Sequence, residues 1–312
     1  NEVFKTPVNK IRLFEHGAPG SQNLKLTRKY YTEDMPDGRV KHIVQNITDP
    51  DIVPYIPDGI GNSTDRQRIP AVLIIPGGAF RRLVYNFEGE DVAKWLNSMG
   101  IAAFVLECRL PSDEHDNAED VPLIDAMRAM RVIRGRAQEF GIDEAKIGVM
   151  GFSAGGFMAA LLSTAYESDV YADYKYKDEY DKLSARPDFA VCSYPVISID
   201  DCIEAGKRYM SEEQVLERIS DSKAKILHKY NPDKLVRPDM PPVFICETDD
   251  DRTTLSENSV GFYMAARKAG VSAELHIFRT GGHGYGCGDD FAQTGEWKVL
   301  FTKWIKSIGI IS

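Results

Sequence analysis

Met150-Gly151-Phe152-Ser153-Ala154-Gly155-Gly156 carries the pattern Gly-x-Ser-x-Gly. Before it, Ile147 to Met150 reads as a short buried strand, and after it, Phe157 to Leu162 reads as a helix that is apolar on nearly every face. A serine held between a strand and a helix sits on a turn so tight that only small neighbours permit it, and its hydroxyl is pushed out above the sheet. The pattern therefore predicts a nucleophile elbow. Glycine and serine also cluster in ordinary turns, so the flanking strand and helix carry much of the weight.

Outward from the elbow, the chain from residue 70 onward alternates strand and helix. Ala71 to Ile75, Ile101 to Leu106, Phe189 to Tyr194, Val243 to Glu247 and Ala273 to Phe278 read as strands. Helices are expected over Glu88 to Met99, Val121 to Phe140, Ser256 to Ala269 and Trp297 to Ile308. This order predicts a mainly parallel sheet with helices on both faces, in one domain over 70–312. Residues 1–69 are expected to be an irregular lead-in belonging to the same domain, with an edge strand at Val40 to Ile47. A passage rich in proline (Pro50, Pro54, Pro57) and a polar loop over Asp58 to Arg68 follow that strand.

The interval 198–235 breaks the alternation. Within it, Ser211 to Tyr230 has a serine cap and places Val215, Leu216, Ile219, Ile226 and Leu227 near helical spacing. An insertion there is a candidate lid over the carboxyl edge of the sheet, or a helix packed on the side of the domain. Upstream, Tyr171, Tyr174, Tyr176 and Tyr180 read as surface tyrosines, with stacking on a sugar as the alternative.

The chain has 312 residues, 43% of them hydrophobic and 27% charged, as expected of a soluble protein with a substantial core. No apolar run reaches the length of a membrane span. A net charge of -9 argues against nucleic acid or an anionic membrane as partner. The cysteines at 108, 192, 202, 246 and 287 lack metal-binding spacing, and those at 108, 192 and 246 read as small buried thiols. Such a pattern leans towards a reducing compartment, whereas a start at Asn1 without methionine fits either a removed export signal or a trimmed sequence. Compartment and oligomeric state stay open.

A serine hydroxyl needs a base and a group to orient that base. His283 is placed for this, in the loop Thr280-Gly281-Gly282-His283-Gly284-Tyr285-Gly286 directly after a strand. His276 lies inside that strand, and His16, His42, His115 and His228 fall in early or polar segments. Asp249, Asp250 and Asp251 follow another strand, and one of them can accept the imidazole Nδ1 proton. An oxyanion hole is expected from the amide of Ala154 and from Gly78 or Ala79 in Pro76-Gly77-Gly78-Ala79-Phe80. No cofactor and no metal are called for, and a metal-dependent reading fails because the His115-Asp116 segment reads as a solvated acidic loop without a ligand partner.

The run from Leu73 to Phe80, the segment Glu88 to Leu96, the elbow, and Ala273 to Gly284 together resemble bacterial α/β-hydrolase esterases of the acetylxylan esterase and related carbohydrate acetylesterase type. The resemblance spans roughly 70–305 and implies an α/β-hydrolase fold, with Ser153 as nucleophile, His283 as base and Asp251 as acid. The family's Val-Pro pair after its acid is replaced here by Arg252-Thr253-Thr254-Leu255, which keeps Asp250 in competition. The implied substrate is an acetylated carbohydrate, most readily xylan or its oligosaccharides. A general carboxylesterase or lipase is the alternative, and a non-catalytic binding module on the same scaffold a remote one.

Overall fold

The computed structural model describes residues 3–5, 7–60, 68–208, 210–219, 222–288 and 292–312. Most of the expected polar loop, 61–67, lies outside them. Among the described residues, eleven strands form two sheets. The larger one has the order β1 (Ile11–Arg12), β4 (Asp51–Tyr55), β7 (Ala102–Glu107), β5 (Ile69–Ile75), β8 (Ile142–Phe152), β9 (Ala190–Ser193), β10 (Val243–Thr248) and β11 (Ala273–Phe278). From β7 to β11 all neighbours are parallel, and β4 alone runs against the others, antiparallel to both β1 and β7. Strands β5 and β7 are buried almost throughout, which is why they read as unbroken apolar runs and not as alternations.

The first third of the chain holds more regular structure than its sequence suggests. The strand expected at 40–47 forms as β3 (Val40–Gln45), but it is the middle strand of a second, antiparallel sheet between β2 (Lys29–Asp34) and β6 (Leu83–Val84). The proline-rich passage is itself strand β4. It tolerates Pro54 because β1 pairs only with Asp51 and Ile52, so the outer edge at Pro54 has no ladder bond to lose.

The helices are α1 (Asp91–Ser98), α2 (Val121–Gly135), α3 (Ala137–Phe140), α4 (Ala154–Ala165), α5 (Ile199–Lys207), α6 (Glu212–Ile219), α7 (Ser222–Lys229), α8 (Ser256–Lys268) and α9 (Glu296–Ser307). The long helix expected to Phe140 is broken at Arg136, and Gly141 closes its second part in the left-handed conformation (φ 66°). Helices α1 and α9 pack together through Trp95 and Trp297, whose rings lie 5.0 Å apart. On the other side α2 packs on α4. No helix among the described residues is long and apolar enough to cross a membrane.

Cys108, Cys192 and Cys246 are buried, and Cys202 and Cys287 are half-buried. Of the tyrosine-rich segment, Tyr171 is buried with its hydroxyl on Asp181, Tyr174 donates to the Gly17 carbonyl, and Tyr180 packs on Gly135. Tyr176 is 41% exposed, but its ring is flanked by His16 and by the Lys175 ammonium. His115 is also buried and bonded to the Ser21 hydroxyl at 2.9 Å, which corrects the solvated loop expected there.

Register decides what meets at the carboxyl edge of the sheet. Ile75 pairs with Gly151, Phe152 with Ser193, Ser193 with Cys246, and Thr248 with Phe278. The loops after β5, β8, β9, β10 and β11 are thereby brought side by side.

Candidate active site

Ser153 occupies the turn between β8 and α4 with φ 55° and ψ -118°, a conformation that side chains other than glycine rarely adopt. Its amide is tied to the Ser193 carbonyl at 3.0 Å. Glycine is required on both sides. A Cβ at Gly151 would stand 1.9 Å from the Gly155 carbonyl oxygen, and one at Gly155 would stand 1.9 Å from that of Ile75.

The loop after β11 carries His283, whose Nε2 lies 2.9 Å from the Ser153 Oγ. On the other side of the ring, Nδ1 lies 2.6 Å from the Asp251 Oδ2. These residues follow three different strands and form a continuous line of hydrogen bonds. Asp251 is 3% exposed and accepts from the amides of Thr253 (2.7 Å) and Thr254 (2.9 Å) through its other oxygen. Burial pushes its carboxyl up, but the His283 imidazole and these amides outweigh burial, and the net direction is downward. The carboxylate form is favoured.

Asp250, the competing acid, is exposed and accepts from the Gly282 amide at 2.8 Å. It steadies the loop bearing the imidazole and does not meet the ring. Asp249 is exposed, with its amide on the Phe278 carbonyl. Thr254, at a position where the sequence departs from the family's Val-Pro pair, places its hydroxyl 3.0 Å from Asp251 Oδ2 and 3.3 Å from His283 Nδ1. His276 stays in its strand, bonded to Glu274.

The turn after β5 lies directly against the elbow. Ala79 and Phe80 have φ near 60°, and the Gly78 carbonyl accepts from the amides of Arg81 and Arg82. Among the described residues, no protein acceptor takes the amides of Gly78, Ala79 or Ala154. A small, largely apolar pocket lies between this turn and α4, lined by Ile75, Phe80, Leu110, Ala154 and Met158 among others.

Two further residues of the site are not apparent from sequence. Glu88 lies in a π-helical turn, Asn86–Glu90, ahead of α1. It is 5% exposed, and its Oε2 accepts from the Gly77 amide at 2.8 Å. Tyr194, directly after β9, donates its hydroxyl to Glu88 Oε1 at 2.9 Å and accepts from the Gly286 amide at 3.0 Å.

The BD-FAE family matches residues 60–265. The chain belongs to this family. It is 31% identical over 240 residues to an acetylxylan esterase of Xylanibacter ruminicola, a match covering 76% of this chain and 45% of that protein. It is also 31% identical over 227 residues to endo-1,4-beta-xylanase B of Butyrivibrio fibrisolvens, covering 72% of this chain and 34% of that one. The chain thus spans less than half the length of these curated relatives. Over its whole length it is similar to the crystal structure of an acetyl ester-xyloside bifunctional hydrolase from Caldicellulosiruptor lactoaceticus. That match has 35% identity and a TM-score of 0.72, with 97% of each chain covered. The expected α/β-hydrolase fold is the fold of this BD-FAE member.

The interval 198–235 is built of α5, α6 and α7. Val215, Ile226 and Leu227 are buried, while the side chains of Leu216 and Ile219 lie outside the described residues. At its end, Lys229 and Tyr230 reach Asp120 at the start of α2 at 2.7 and 2.5 Å. Among the described residues, none in this interval hydrogen-bonds to Ser153, Asp251 or His283.

Proposed function

We propose that this chain is a serine carboxylic-ester hydrolase that removes acetyl groups from acetylated xylan or its oligosaccharides. The observation that carries the reading is the line Ser153 Oγ, His283 Nε2, His283 Nδ1, Asp251 Oδ2, with contacts of 2.9 and 2.6 Å. The names of the relatives point to the acetyl group and to xylan.

In this mechanism Ser153 attacks the acetyl carbonyl while His283 Nε2 takes the hydroxyl proton. Asp251 fixes the ring with its proton on Nδ1 and stabilises the imidazolium formed in the transition state. The oxyanion rests on the amide of Ala154 and on that of Gly78 or Ala79. His283 then gives its proton to the departing sugar oxygen, and water attacks the acetyl-enzyme by the same route. The cavity beside Ala154 suits a short acyl chain better than a long one.

The experiment is acetate release from acetylated xylan, acetylated mannan and simple acetyl sugars, each with Ser153→Ala as the blank. A clear preference for acetylated xylan is expected. Equal or faster turnover of small aryl esters with negligible release from xylan would replace the reading by a general carboxylesterase.

A further inference from the structure

The hydrogen bonds around Glu88 have a direction that can be worked out atom by atom. The Gly286 N–H has to donate to the Tyr194 oxygen, so the Tyr194 hydrogen is free to donate to Glu88 Oε1. The Gly77 N–H has to donate to Glu88 Oε2. Both carboxyl oxygens therefore face donors, and a carboxylate accepts from both of them.

This buried carboxyl group joins two halves of the site. Through Gly77 it holds the turn that supplies Gly78 and Ala79, and through Tyr194 it holds Gly286, three residues beyond His283. The Tyr194 ring also meets the imidazole edge-on, with centroids 5.0 Å apart. Burial raises the Glu88 carboxyl by more than attraction to His283 and the two donated hydrogen bonds lower it, so the net direction is upward.

We infer that Glu88 is a positioning residue of the proposed hydrolase: through Gly77 on one side and Tyr194 and Gly286 on the other, its carboxyl group holds the oxyanion turn and the histidine loop at a fixed separation. The inference rests on the esterase reading.

The test is the steady-state kinetics of aryl acetate hydrolysis for wild type, Glu88→Gln and Tyr194→Phe, with Ser153→Ala as blank. Both variants break the same chain of hydrogen bonds, and each is expected to lose about tenfold or more in kcat with KM changed less than about twofold. Wild-type kcat in either variant, or a loss confined to KM, overturns the role. Should Glu88→Gln not fold, kcat of Tyr194→Phe decides in the same way. Wild-type turnover no higher than the Ser153→Ala blank overturns the esterase reading itself.

Discussion

Gly77 and Ser153 stand so close that a Cβ added to Gly77 would lie 2.9 Å from the Ser153 Cβ, 2.4 Å from the Phe152 carbonyl and 2.8 Å from Glu88 Oε2. The turn after β5 and the elbow after β8 are thus fitted to each other without a spare methyl's width. Gly77→Ala should cost about 1–3 kcal/mol of stability by overpacking. Because the displaced groups are those of the site, aryl acetate turnover should fall by more than the lost folded fraction explains. Urea denaturation beside kcat measures both.

Ser153 is held in a strained backbone conformation worth roughly 1–3 kcal/mol. Ser153→Ala keeps the Cβ and hence the strain, whereas Ser153→Gly releases it. Both should be inactive, and the glycine variant should unfold at higher denaturant than the alanine variant. Equal midpoints would show that the turn stores no strain.

The neighbouring acids separate cleanly. Asp251→Asn should lower kcat by about a thousandfold or more, since it favours the wrong imidazole tautomer. Asp250→Asn keeps an oxygen for the Gly282 amide and should stay within a few-fold of wild type. The reverse ranking would reassign the acid.

Burial, with a smaller contribution from the Arg109 guanidinium, holds His115 down at about 4. A histidine whose folded pKa lies below its unfolded value near 6.5 contributes stability above that value, and the contribution is lost as pH falls from there to about 4. Asp113, pushed up to about 6 by burial, acts in the opposite sense, its contribution declining as pH rises. His115→Gln should therefore flatten the acid-side loss of stability between those pH values. Thermal melts at several pH values for the two proteins compare the slopes.

In the proposed reaction the pocket lined by Phe80, Leu110 and Met158 takes the acyl group and limits its size. Met158→Ala should raise turnover of butyryl relative to acetyl aryl esters by several-fold, at about 2–5 kcal/mol of stability. A chain-length series gives the ratio, and an unchanged ratio would place the acyl group elsewhere.

Much of this arrangement was legible in the sequence, because parallel strands buried on both faces announce themselves as apolar runs, and the elbow needs glycines at fixed offsets. Ser153 and Asp251 each follow such a run, and His283 follows β11, a half-exposed strand at the edge of the sheet. Glu88 and Tyr194 were not legible. Glu88 lies where the pattern suggests the exposed start of a helix, and only the π-helical turn swings it inward. Tyr194 reads as the last residue of a buried strand, and nothing local marks its hydroxyl as the acceptor of Gly286. Strand β4 was hidden by Pro54, whose exclusion from sheets does not apply at an edge that has no partner.

Tyr194 adopts φ 37°, a backbone angle that glycine would occupy with less difficulty. Two evolutionary pressures consequently pull apart at one codon. A library screened only for heat resistance has reason to drift towards glycine there, while one screened for turnover should retain the phenol. Comparing the survivors of the two screens would reveal how dearly this lineage values a single aromatic hydroxyl.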